Sequence, residues 1–318
     1  MVIRNSSYSN LPRILVVMAT HNGAPWIKEQ VESIMSQEGV QVTLNVFDDC
    51  STDDTECQIR GLSRTYSDIA LHRYEHPSGS AGTAFLGAFT RIDARGFDYL
   101  ALADQDDVWL NNKLMRAAEK LAGKPKAAGY SCSSAAFWSD GTIKLLRQNS
   151  HVRPLDYLFE GAGQGCTFVM RAHFFSEIQP LFKTHQRLFR AFHYHDWLLY
   201  LLTRARGRDW IFDDHPGILY RQHNKNELGA RGTRLALTKR LNLIKSGWYR
   251  HQITTAIQIA THVMPSTDNA RLVSFMKIYR REQSISRQLR VAHMILLHGR
   301  RRFRERLFVA LCSLVGWI

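Results

Sequence analysis

With 318 residues, 45% of them hydrophobic, the chain is long enough to bury a substantial core, as one large domain or two, and is neither fibrous nor disordered. No run reaches the roughly 18 apolar residues needed to span a bilayer. Five cysteines, odd in number and without zinc-type spacing, point to a reducing, cytoplasmic compartment. The net charge of +14 is uneven: residues 231–318 hold 17 basic and 3 acidic residues, while residues 1–230 hold 25 of each.

Residues 1–12 are polar and lack the apolar core of a signal peptide. Residues 14–20 are an unbroken apolar run ended by His21, Asn22 and Gly23, which reads as a strand buried on both faces of a parallel sheet. Ile27, Val31, Ile34 and Met35 then follow at helical spacing. A second strand over 42–47 stops at Asp48 and Asp49, with a helix start near Thr55. A third covers 69–74 and leads into a helical stretch over 84–92. A fourth, 99–103, ends at Asp104, Gln105, Asp106 and Asp107, where a helix beginning near Val108 offers an alternative use for one acidic residue as a cap. Strands are also expected over 129–138, after the glycine-rich loop 161–165, and over 217–220, whereas 143–160 has no assignable period.

Strands alternating with helices predict an α/β sandwich built on a mostly parallel sheet. Ligands of such sheets sit at the carboxyl ends of the strands. Three polar clusters fall there: Thr20 with His21 and Asn22, Asp48 with Asp49, and the acidic turn at 104–107. Carboxylates packed this tightly repel one another unless a cation or ligand offsets the charge. Their hard oxygens suit Mg²⁺ or Mn²⁺, whose open positions a diphosphate can fill.

The order of these blocks resembles the family 2 glycosyltransferases of the GT-A fold, over about residues 13–230. The later blocks agree: Gly165-Cys166-Thr167 is similar to the family's acceptor-side loop, His195-Asp196-Trp197 to its catalytic carboxylate block, and Tyr220-Arg221-Gln222-His223 to its closing basic motif. The resemblance implies a Rossmann-like catalytic domain at 13–230 and an inverting transferase using a nucleotide-diphosphate sugar. Asp49 or Asp48 would then accept a hydrogen bond from the pyrimidine imide, and Asp104 would lie near the ribose. Asp106 and Asp107 would hold Mg²⁺ or Mn²⁺, His223 would be a third ligand to the metal or a donor to the diphosphate, and Arg221 would pair with phosphate oxygens. Thr20 and Asn22 would line the donor pocket. Gly165, Cys166 and Trp197 would face the acceptor, and Asp196 would be the base, with a helix N-cap as its bland alternative. Many members carry Glu-Asp where this chain has His195-Asp196. The stretch 220–230 looks most like the rhamnosyltransferase branch, whose donor is dTDP-rhamnose; a UDP-hexose donor stays open.

The basic region 231–318 reads as helices over 233–264, 268–297 and 300–317. Arginines at 300–306 ahead of the apolar stretch 307–318 suit a peripheral anchor on the inner face of the cell membrane, near a glycan or polyprenyl-linked acceptor. The alternative is a helix packing its apolar stripe on the domain, with a solvated basic face. Few aromatics interleave the basic residues, which argues against nucleic acid as partner and against a nucleic-acid-binding role. A non-catalytic assembly protein is the remaining alternative.

Overall fold

The computed structural model describes residues 11–148, 151–223, 241–264 and 270–318. In chain order the strands are β1 (Arg13–Thr20), β2 (Gln41–Asp48), β3 (Ile69–Arg73), β4 (Tyr99–Ala103), β5 (Val108–Trp109), β6 (Ala127–Phe137), β7 (Ile143–Leu146), β8 (Phe168–Arg171) and β9 (Asp209–Arg221). The helices are α1 (Ile27–Met35), α2 (Thr55–Thr65), α3 (Ala81–Phe89), α4 (Lys113–Ala122), α5 (Ala172–Thr184), α6 (Gln186–Arg190), α7 (His195–Ala205), α8 (Trp248–Val263), α9 (Ala270–Tyr279), α10 (Ile285–His298) and α11 (Phe303–Leu314).

The strands form one sheet in the order β3-β2-β1-β4-β8-β6-β9-β5, with β7 on β6. β1, β2, β3, β4, β6 and β9 run one way, and β5, β7 and β8 run against them. Alternation along β1 explains the layering: Leu15 and Val17 point into one apolar cluster, Ile14, Val16 and Met18 into the other. The first cluster takes α3, α5, α7 and all four C-terminal helices; the second takes α1, α2 and α4. The C-terminal helices therefore share a continuous core with the sheet.

Register places the functional clusters. Thr20 pairs with Asp48 across β1 and β2, and Met18 with Ala103 across β1 and β4, so three polar strand ends stand side by side. The chain after 107 is not a helix start: Val108 and Trp109 pair antiparallel with Leu219 and Ile218 of β9, and α4 begins only at Lys113. Capping of a helix at Val108 is thereby excluded as a role for the acidic turn. β9 is also far longer than the expected 217–220, because Pro216 sits at a register shift where β6 resumes pairing.

The C-terminal helices differ from expectation in two places. Residues 241–245 are helical, then Gly247 at φ 79° interrupts before α8; residues 233–240 lie outside those described. The stretch read as one helix over 268–297 is two, since the Ser284 hydroxyl caps a new start by accepting from the Arg287 amide at 3.2 Å.

Candidate active site

At the end of β1 the chain reverses through Asn22, at φ 50°, a left-handed conformation that Asn tolerates better than most residues. A Cβ at Gly23 would lie 2.5 Å from the Gln105 side-chain oxygen, so a larger residue here would displace the Gln105 side chain. Gln105 is the clip of this corner. Its Oε1 accepts from Thr20 Oγ1 (2.7 Å) and the His21 amide (2.8 Å), and its Nε2 donates to the His21 carbonyl (3.1 Å). Asn22 spends its groups on the neighbouring loop: its amide donates to Ser51 Oγ, and its Oδ1 accepts from the Thr52 amide at 2.8 Å.

The two carboxylates after β2 are distinct. Asp48 is fully buried; one oxygen accepts from the Ser51 amide at 3.1 Å, and the other has no partner among the described residues. Asp49 accepts from the amide (2.6 Å) and hydroxyl (2.7 Å) of Ser78, pinning the loop between β3 and α3 against the strand end.

The acidic turn divides likewise. Asp106 Oδ2 meets His223 Nε2 at 2.7 Å, and the imidazole lies flat on Trp26 with ring centroids 4.3 Å apart. Asp107 is buried, and single ligand atoms of Asp104, Asp107 and Cys166 all lie within 4.8 Å of one another. Burial, and then the charges of Asp104 and Asp106, raise the Asp107 pKa well above the carboxylate range. Burial, and then Asp107 and Asp104, push the Cys166 thiol up, so it stays protonated at neutral pH. Beneath them Lys113 is enclosed, its ammonium 3.0 Å from the Trp109 ring centre and 2.7 Å from the Cys166 carbonyl; burial lowers its pKa to about 8. Arg221 bolts β9 to the turn: its Nε donates to the Asp106 carbonyl at 3.0 Å and its Nη2 to Glu29 at 2.5 Å.

Gly165–Thr167 forms a single 3₁₀ turn. A Cβ at Gly165 would lie 2.6 Å from His195 Nε2 and 3.4 Å from Asp196 Cβ, so glycine permits the close approach of α7. The cap of α7 is Tyr194, and Asp196 sits in the first turn, its Oδ1 accepting from the Trp197 amide at 2.6 Å. The N-cap alternative for Asp196 is therefore incorrect, although the positive end of the helix still favours its charge. His195 stacks on Phe85 with centroids 4.0 Å apart, burial lowers its pKa to about 3, and its Nε2 has no partner among the described residues. Trp197 is a wall: its indole donates to the Tyr157 carbonyl at 2.8 Å and its side chain is buried.

Gly165 and Cys166 thus join the two halves. One touches the His195–Asp196 turn and the next touches the Asp104–Asp107 pair, a separation of one peptide, about 3.8 Å between Cα atoms. Of the expected metal ligands, Asp106 and His223 meet each other while Asp107 turns to Asp104 and Cys166. Sequence reasoning left Gln105, Ser78, Glu29 and Lys113 without roles; only Gln105, lying inside the acidic block, carried a local signal. Residues 224–230, which carried part of the rhamnosyltransferase resemblance, lie outside those described.

A mostly parallel α/β sheet presenting these acidic loops at its strand ends is a fold of the GT-A type. The family described as "Glycosyl transferase family 2" matches residues 15–191, and the chain belongs to it. It is 34% identical over 238 residues to dTDP-rhamnosyl transferase RfbG of Shigella flexneri, covering 74% of this chain and 82% of that one. It is 36% identical over 111 residues to succinoglycan biosynthesis protein ExoO of Rhizobium meliloti, covering 35% of this chain and 30% of the relative. Among solved structures, S. aureus TarS superposes with a TM-score of 0.56 at 13% identity, over 96% of this chain and 88% of that one.

Proposed function

We propose that the protein transfers rhamnose from dTDP-rhamnose, with inversion, to a glycan or polyprenyl-linked saccharide in surface polysaccharide synthesis. The donor and reaction rest on the 34% identity to a dTDP-rhamnosyl transferase. The observation that supports the chemistry is the Gly165-Cys166 pair, whose first residue lies against His195 and Asp196 and whose second lies against Asp104 and Asp107. Asp49 is the partner for the pyrimidine imide, in exchange for its bonds to Ser78, and Asp104 faces the ribose. Asp196 is the base: a carboxylate at the helix start, facing the acceptor loop, can take the proton of an attacking hydroxyl.

The donor set fits a divalent ion. Asp106 offers an oxygen and His223 a nitrogen 2.7 Å away, and the crowding that raises Asp107 is what a cation would relieve. Asp106, His223 and Asp107 would hold Mg²⁺ or Mn²⁺. Such an ion would neutralise charge on the departing diphosphate.

The tail supports a place on the membrane surface, by a different means from that expected. Arg300, Arg301 and Arg306 do not face headgroups: Arg301 is enclosed with Asp156 and Glu160, Arg300 pairs with Glu160 and Glu305, and Arg306 is buried. Among the described residues no helix is long and apolar enough to cross a membrane. The packed face of α11 buries Val309, Ala310 and Cys312, while its outer face exposes Phe303, Leu307, Leu311 and Leu314 at helical spacing, flanked by exposed Arg302 and Arg304. Such an apolar stripe beside cations suits an anionic bilayer surface.

The decisive assay incubates the protein with dTDP-rhamnose and UDP-hexoses, with Mg²⁺ or Mn²⁺, and follows nucleotide diphosphate release with and without a lipid-linked acceptor. Preferential turnover of dTDP-rhamnose is expected. Preference for a UDP-hexose would replace the donor assignment, and nucleotide binding unchanged in Asp106→Ala would defeat the pocket assignment.

A further inference from the structure

A second cleft, of about 540 Å³, opens at the other end of the sheet. Lys126 lies just ahead of β6 and Asp209 begins β9; Arg204 and Arg208 come from the end of α7 and the turn after it, and Arg153 and Arg271 complete the wall. Five of these side chains are cationic at neutral pH and one is acidic. Since β9 runs from Asp209 to Arg221, 13 residues at about 3.3 Å each, the cleft is roughly 40 Å from the donor pocket.

Neighbouring acids offset only part of this charge: Asp209 lies in the wall itself, and Asp156 acts on Arg204 as well as on Arg301. Glu177 pairs with Arg206 (3.4 Å) and Arg208 (3.8 Å) at the exposed rim, where such pairs contribute little. Asp156 is engaged by Arg301 and by the Tyr200 hydroxyl at 2.9 Å. Arg153 Nε is buried with no hydrogen-bond partner among the described residues. The field reaches further, for burial and then Arg271, His293 and Arg153 hold the His298 imidazole below its ordinary pKa. Like charges around a concavity are costly unless an anion sits among them, and guanidinium forks match phosphate oxygens.

We propose that this cleft is a second anion site, distinct from the donor pocket, that binds a phosphate or diphosphate group. Its volume exceeds that of a bare phosphate, leaving room for whatever carries the group. This reading stands apart from the donor assignment.

The test is calorimetric titration of the full chain with pyrophosphate in EDTA, in wild type, Asp106→Ala and Arg208→Gln/Arg271→Gln. The last two positions are exposed, so the fold is kept. Wild type and Asp106→Ala should bind alike, and the double arginine variant about tenfold or more weaker, with a flatter salt dependence. Unchanged affinity in the arginine variant, loss in Asp106→Ala, or no binding at about 1 mM would overturn the proposal. With that result in hand, sedimentation with phosphatidylcholine vesicles, with and without phosphatidic acid, distinguishes the sources. Phosphatidic-acid binding that pyrophosphate displaces and the arginine variant lacks identifies a lipid headgroup; its absence identifies a soluble phosphate.

Discussion

Gly165 and Cys166 decide how closely Asp196, the proposed base, and the acidic turn can stand. Replacing Asp196 with Asn should lower kcat by about 10²–10⁴ while leaving the donor KM near its wild-type value, read in steady-state kinetics; an equal loss in both would make Asp196 a binding residue. Lys113 gives a second prediction. Its folded pKa of about 8 lies below the ordinary 10.5, so between those values the unfolded chain holds more protons and stability rises with pH. Relative to Lys113→Met, urea unfolding of the wild type should gain about 3 kcal/mol from pH 7 to about 10.5; a flat difference rejects it. At this scale the acids were legible because crowded charge demands an explanation. Ser78 was not, since its bonds to Asp49 span 29 residues and leave no local pattern.

Elements were legible in proportion to their length and regularity. β1, β2 and β4 announce themselves as apolar runs, but β5 is two residues long and exists only because β9 pairs with it. The break between α9 and α10 was hidden because Ser284 reads as an ordinary surface residue until its cap is seen. The basic run 300–306 misleads in the same way, since charge in a sequence does not say which way a side chain faces. Arg301 is enclosed by Asp156, Glu160 and the ring of Phe212, 4.5 Å away. Arg301→Ala should therefore cost about 3 kcal/mol in urea unfolding, because the buried Asp156 loses its paired cation and Glu160 keeps only Arg300. Arg304→Ala, at an exposed site, should stay within about 0.5 kcal/mol.

For the whole molecule, alternation of strands and helices was enough to foresee the layered sandwich, because each layer needs an apolar face and the sequence writes it at fixed periods. Leu307→Glu/Leu311→Glu should abolish sedimentation with anionic vesicles, while the melting temperature and turnover of a soluble acceptor stay unchanged. Vesicle binding equal to wild type would show that the stripe is not the contact. The tail also reaches inward: the Arg301 guanidinium donates to the Gly161 carbonyl at 2.6 Å, four residues before Gly165. That bond ties the segment leading into α11 to the loop before Gly165, and any coupling carried through it is reciprocal. Whatever settles into the acceptor cleft should slow amide hydrogen exchange in α11, and a tail held on a surface should tighten acceptor capture in equal measure.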